Sequence, residues 1–170
     1  MNFGVGLIPL VIECVVFLFV LIGTPLETFR LHNPLGSDSC ITLWGARNCG
    51  SASYSSRDFR CNREKSTMNA GAAFAIISIF VTLVAILTFF LTGKLSPAGL
   101  IGKICAILAV FTILIAWATP ASVFHQHMCK MLSIRLHSYK ENGWHLAAGF
   151  GLMVTAWCLQ IIAVVLSFVL

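Results

Sequence analysis

Four apolar runs constrain this chain more than any other feature. They are Gly4 to Gly23, Ala70 to Leu91, Leu100 to Thr119 and Leu146 to Leu170. A helix needs about 20 apolar residues to cross the hydrocarbon core. Inside lipid every backbone polar group must be satisfied within the protein, which is why such runs fold as helices. Composition agrees: 58% of the 170 residues are hydrophobic and 10% are charged, against roughly 25% charged in a soluble domain. The expected class is an all-α membrane protein, a four-helix bundle covering residues 1–170 as one domain. The first run lacks the basic leader of a signal peptide and is longer than its apolar core, so a retained helix is expected.

The runs are divided by turn-forming residues: Gly23-Thr24-Pro25, Gly93 to Pro97, Pro120 and Asn142-Gly143. The connections are a long loop over 24–69, a tight turn over 92–99 and a medium loop over 120–145. Four crossings place both termini on one side and the two larger loops on the other.

Two signals disagree about which side is outside. Basic residues mark cytoplasmic loops, and the larger loops hold Arg30, Arg47, Arg57, Arg60, Arg63, Lys65, Lys130, Arg135 and Lys140, against Lys94 and Lys103 at the tight turn. Cysteines point the other way. Of seven, Cys14, Cys105 and Cys158 lie within spans, and Cys40, Cys49, Cys61 and Cys129 all lie in the two larger loops. Four cysteines on one face suit two disulfides, which persist outside the reducing cytosol. Long loops also cross largely regardless of charge. The cysteines therefore outweigh the count, with the large loops outside and both termini cytoplasmic. Closing a loop of about a dozen residues removes roughly 3 kcal/mol of unfolded-state freedom. Nearness in sequence favours Cys49–Cys61, leaving Cys40–Cys129 to join the loops, although four cysteines allow three pairings.

In "CITLWGARNC", Cys40 to Cys49, the residues alternate as in a short strand: Ile41 and Leu43 on one side, Cys40, Thr42 and Trp44 on the other. Gly45 permits a turn, and Trp44 offers an amphipathic ring for a membrane interface or a small loop core. This stretch resembles the signature of the amastins, surface proteins of trypanosomatid parasites: Cys, apolar, Ser/Thr, apolar, Trp/Phe, Gly, then a basic and a polar residue before a second Cys. Cys40, Ile41, Thr42, Leu43, Trp44, Gly45, Arg47, Asn48 and Cys49 fill those roles. One residue fewer stands between Arg47 and Asn48 than in the signature. "LIGTPLETFR", "AAFAIISIFV" and "AAGFGLMVTAWCLQII" extend the resemblance along the chain. Amastins are in turn similar to claudins, whose Leu-Trp precedes two disulfide-bonded cysteines, which again suggests Cys49 with Cys61. The resemblance implies a claudin-like bundle with a small disulfide-stapled, β-containing outer domain. It also implies a multi-pass protein of the plasma-membrane surface, engaged in parasite–host contact or in ion and solute handling.

Other features have plainer readings. Glu13 lies mid-span, where a charge is costly and functional by default. Gln160 is its one comparable polar partner, so an interhelical hydrogen bond is favoured over transport. Gly143, Ala147, Gly151 and Thr155 recur every fourth residue, a pattern that lets helices approach closely; internal packing is expected, with a homo-oligomer contact as the alternative. "FHQHMCKM", from Phe124, holds soft-metal ligand types but no second pair at zinc spacing, so solvated histidines beside a disulfide-bonded Cys129 are expected, and no metal or other cofactor. "RDFRCNREK", from Arg57, is read as a solvated edge, with acidic glycans or lipid headgroups as alternative ligands. No nucleic-acid motif, G-x-S-x-G, HExxH or P-loop occurs. The function that the amastin resemblance implies is non-enzymatic contact with host or neighbouring-cell surface molecules from within the lipid bilayer; the rival is an ion or solute pore.

Overall fold

The computed structural model describes residues 7–34, 36–50, 59–91, 98–131, 134–135 and 137–169. The expected turn over 92–97, Gly4 to Gly6, and Arg57 and Asp58 of the basic run lie outside the described residues.

Four helices dominate: α1 (Leu7–Gly23), α2 (Asn62–Leu91), α3 (Ala98–His125) and α4 (Ala148–Val169). α2, α3 and α4 are long and apolar enough to cross a membrane. The described part of α1 has 17 residues, about 25 Å at 1.5 Å per residue, and is equally apolar. α2 packs on α3 and α1 on α4, and α1–α2 and α3–α4 contacts close the ring. Small residues line the contacts, including Ala72, Ala75, Ala106, Ala109 and Ala116, while Phe80, Phe90, Leu100 and Phe111 project outward. At the far end Lys103 sits 4.9 Å over the Phe168 ring, tying α3 to the end of α4.

Two helix boundaries differ from the sequence expectation. α2 begins at Asn62, so the last eight residues assigned to the long loop are helical. Hydropathy marks where a helix enters lipid, not where it starts. The polar turn above is held by its own side chains: Thr67 Oγ1 donates to the Arg63 carbonyl, and Glu64 lies in the first turn, where the helix dipole favours an acid. α3 runs through Pro120 to His125 rather than stopping before the proline. Proline removes the hydrogen bond to the carbonyl four residues back, here that of Ala116. The Thr119 hydroxyl donates to that carbonyl at 3.3 Å, satisfying the group the proline leaves unpaired.

Above one end of the bundle lies a four-stranded sheet in the order β3 (Gly45–Asn48), β2 (Ser39–Thr42), β1 (Phe29–Leu31), β6 (His145–Leu146). All pairings are antiparallel, with Phe29 opposite Ile41 and Leu146, and Thr42 opposite Gly45. A two-stranded ribbon, β4 (Lys130–Met131) with β5 (Ile134–Arg135), stands apart. Phe29, Ile41 and Leu43 join Val20, Met68, Val123 and Met153 in one continuous core, so the sheet is the lid of the helical core rather than a separate module.

α4 meets the sheet at Gly149. Its N–H donates to the Glu27 carbonyl at 2.9 Å, and a Cβ there would lie 2.7 Å from that oxygen. Only glycine permits this approach.

Candidate functional site

The sheet-bearing end of the bundle is built around two disulfides. The β2–β3 hairpin turns through Leu43 and Trp44. Its Thr42 hydroxyl donates to the Gly45 carbonyl at 3.0 Å and accepts from the Trp44 N–H at 3.1 Å. Gly45 has φ 145°, a left-side conformation in which side chains are rare. Leu43 turns inward and, with Gly23, Pro120 and Gly149, lines a cavity of about 10 Å³ under the sheet. Trp44 turns outward and is 46% exposed. The expected strand alternation gives way here: Cys40, Ile41, Thr42 and Leu43 are all buried, because one face lies on the helices and the other under the disulfide and the turn. Arg47 stands opposite Cys40 in β3.

Cys40 is bonded to Cys49, with Cα atoms 5.1 Å apart, and Cys61 to Cys129, with Cα atoms 5.7 Å apart. This corrects the pairing of Cys49 with Cys61 and of Cys40 with Cys129. The register places Ser39 opposite Asn48, and the Cys49 N–H donates to the Asp38 carbonyl. Cys49 therefore arrives beside Cys40 by hairpin geometry, whatever its distance from Cys61 along the chain. Cys61, just before α2, reaches across to the segment after α3 and joins the two large loops. That junction exists, made by a different pair.

A carboxylate faces each bridge. Glu27 Oε2 lies 3.2 Å from Cys40 Sγ, and Glu64 Oε2 lies 3.4 Å from Cys129 Sγ. Each carboxylate is paired with arginine: Glu27 with Arg30 at 3.6 Å, Glu64 with Arg60 at 3.5 Å. The sets Glu27/Cys40/Cys49 and Cys61/Glu64/Cys129 thus bring metal-ligand types together. In the bonded state neither has a thiolate to offer a metal.

The second bridge sits in the better-built surroundings. The Tyr139 hydroxyl donates to Glu64 Oε1, and the Arg60 guanidinium lies 3.6 Å over the Tyr139 ring. Arg60 also donates to the His137 carbonyl at 3.0 Å. Tyr139 stacks on Phe29 at 5.3 Å and meets Trp144 edge-on. Burial pushes the Tyr139 phenol well above the ordinary tyrosine range, and its bond to Glu64 adds to the shift. At the first bridge, Asp38 accepts from the Asn33 N–H and from Arg30. The Asn33 bond, followed by that from Arg30, holds its carboxyl below the ordinary aspartate pKa.

Glu64, Tyr139, Phe29 and Gly149 were not singled out by the sequence reading, and Arg60 entered it only as part of a basic loop edge. The available signals were an acid three residues from Cys61, a tyrosine in a polar loop, and a glycine opening the last apolar run.

Within the bundle Gln160 Nε2 donates to Glu13 Oε1 at 2.7 Å and to the Ala106 carbonyl at 3.2 Å, linking α4 to α1 and α3. Both side chains are fully buried. Glu13 Oε2 and Gln160 Oε1 have no partner among the described residues.

The small-residue stripe is corrected. Gly143 lies in a turn at φ 77°, not on the helix. Gly151 and Thr155 face outward, with nothing within 4 Å of a Cβ built on Gly151. The inward face of α4 is Gly149, Met153, Ala156, Gln160, Ala163 and Ser167. The 3.6-residue period carries this set inward and the other set outward.

Residues 14–166 match the family model described as Amastin surface glycoprotein. No curated protein matches the chain.

Proposed function

The chain belongs to the amastin surface glycoprotein family, and from that membership we propose that it works as a non-enzymatic contact protein. Its outer sheet meets other membranes or proteins, and α1 serves as a fourth span in a claudin-like bundle. The family and the apolar helices make it a membrane protein of the surface. Both termini then lie in the cytoplasm and both disulfides outside, where oxidation preserves them.

The observation that carries the contact reading is the construction of the hairpin. Cys40–Cys49 closes it, Leu43 plugs it into the helix ends, and Trp44 is held outward at its tip. A rigid aromatic side chain costs little ordering entropy on contact, which suits recognition. Parasite–host contact is the setting the family suggests. The test is capture of host-cell membrane vesicles by cells displaying the protein. Trp44→Ala should reduce capture while surface display and both disulfides persist. Undiminished capture would sink the reading.

A second reading, ion or solute movement, draws on the Glu13–Gln160 node, whose two unpartnered oxygens lie between helices. A flux assay in vesicles separates the two, because Glu13→Gln should abolish flux and leave capture untouched if the bundle conducts.

A further inference from the structure

We propose that the Cys61–Cys129 bridge assembles a binding surface for a sulfated polysaccharide, with Arg63, Lys130, Arg135 and Lys140 as its cationic residues. Cys61 lies within "RDFRCNREK" and Cys129 opens "CKMLSIRLHSYK". These basic stretches are far apart in the chain, and the bridge brings their Cα atoms to 5.7 Å. Together they carry seven Lys and Arg against two acids, Asp58 and Glu64. Arg57 and Asp58, outside the described residues, cancel in charge.

The nearby acids leave most of this charge facing out. Glu64 is 2% exposed and is met by Tyr139 and Arg60, so one guanidinium is committed inward. Glu141, next after Lys140, bonds to His137 and the Ser138 N–H. Arg63 and Lys140 are exposed, and no acid among the described residues pairs with either. Arg60 holds the turn that carries Lys140, donating to the His137 carbonyl and lying over the Tyr139 ring. The Lys140 N–H donates to the Phe124 carbonyl at 3.3 Å, which fixes that turn against the end of α3.

The ribbon supplies the observation that points to a ligand. Lys130 stands directly opposite Arg135 in the β4–β5 register. Opposite positions of an antiparallel pair share one face, and like charges there destabilise the pair. An anion bound between them turns that repulsion into attraction. The cations come from three places: the first turn of α2, the ribbon, and the turn before β6. One small anion does not reach all three; a linear chain of repeated oxyanions does. Sulfate offers the tetrahedral oxygens that the guanidinium fork meets in pairs.

Height above the bilayer separates this surface from the protein's own lipids. Asn62 opens α2 about 12 Å above Ala70, where the apolar run begins, at 1.5 Å per residue. A headgroup layer is about 5–8 Å deep. The bridge and the ribbon next to it therefore face the medium. Like the contact reading, this proposal needs both large loops outside; it does not need Trp44.

The test uses the full chain in nanodiscs of phosphatidylcholine, with heparin as the probe. Calorimetric titration should show saturable binding that weakens as NaCl is raised. Lys130→Ser/Arg135→Ser should weaken it about tenfold or more, and should melt no lower than the parent because a like-charge pair is removed. Trp44→Ala should bind heparin unchanged, so this surface and the hairpin tip are tested apart. In the unmutated protein heparin should shield Lys130 and Lys140, but not Lys103, from acetylation, read by mass spectrometry. Vesicles containing phosphatidylserine should not displace heparin; displacement would make an anionic membrane the partner and overturn the proposal. Absence of saturable binding, binding indifferent to the double substitution, or shielding confined to other lysines overturns it too.

Discussion

The Tyr139 hydroxyl donates to the Glu64 carboxylate across 75 residues of sequence, and that bond closes the space between the two large loops. Glu64 is 2% exposed; its carboxylate must be met by Tyr139 and Arg60 because water does not reach it. Tyr139→Phe keeps the ring against Phe29 and Trp144 and removes only the donor. Leaving a buried acceptor short of a donor costs about 1–3 kcal/mol. Thermal unfolding in detergent should show that loss. The phenol titrates above the ordinary tyrosine range, so between its unfolded and folded values the folded state holds one proton more. Stability is therefore full below about pH 10 and declines as pH rises further. Absorbance at 295 nm should show Tyr139 ionising later than a free tyrosine.

The two disulfides should differ in what they contribute. Cys61–Cys129 spans 68 residues and Cys40–Cys49 spans 9. The chain-entropy relation gives about 4 kcal/mol for the longer loop and about 2.5 kcal/mol for the shorter. Cys61→Ser/Cys129→Ser should lower the melting temperature more than Cys40→Ser/Cys49→Ser. Equal shifts would mean that loop closure is not the dominant contribution.

Gly149→Ala should unseat the sheet. The added Cβ would stand 2.7 Å from the Glu27 carbonyl and 3.1 Å from that of Gly23, both backbone atoms that cannot rotate aside. The expected cost is about 1–3 kcal/mol, seen as faster hydrogen exchange in β1 and β6. Gly151→Ala, two residues away, meets nothing within 4 Å and should leave the fold intact. A change in oligomeric state in that variant would locate a helix–helix contact on the outward face of α4.

These contrasts show what was legible in the sequence. The apolar runs were, because lipid imposes a length and excludes charge. That Cys40, Cys49, Cys61 and Cys129 are the bonded cysteines was too, because all four lie in the two larger loops and the other three lie within apolar runs. The pairing was not: it depends on the β2–β3 register, which places Cys49 beside Cys40 regardless of nearness to Cys61. The end of α3 was hidden because Thr119 compensates locally for Pro120. The stripe on α4 was visible, but spacing alone does not tell which of two small-residue faces turns inward.

Acid should loosen the outer surface through two carboxylates. Asp38 and Glu141 are both held below their ordinary carboxylate pKa in the folded state, Asp38 chiefly through the Asn33 N–H and Glu141 chiefly through His137. A lowered folded value means that the stabilisation is present above the unfolded value, about 4, and is lost as pH falls through the folded one. The sheet edge at Arg30–Asp38 and the turn at 137–141 should therefore hold at pH 5 and loosen below about pH 4. Hydrogen exchange of the Asn33 and Ser138 amides reports this; loosening already complete at pH 5 would refute it.

The node in the bundle makes an asymmetric prediction. Gln160 Nε2 serves both Glu13 Oε1 and the Ala106 carbonyl, whereas Glu13 has Gln160 as its donor and an unpartnered Oε2. Replacing the acid by its amide keeps an acceptor in place and removes a costly group, so Glu13→Gln should change stability by less than about 1 kcal/mol. Gln160→Leu removes the donor and leaves a carboxyl group between apolar helices. The cost there should exceed about 2 kcal/mol. Unfolding of both variants in detergent measures the difference. If instead Glu13→Gln is the more damaging, Glu13 itself holds the helices together, through a partner that its amide cannot keep.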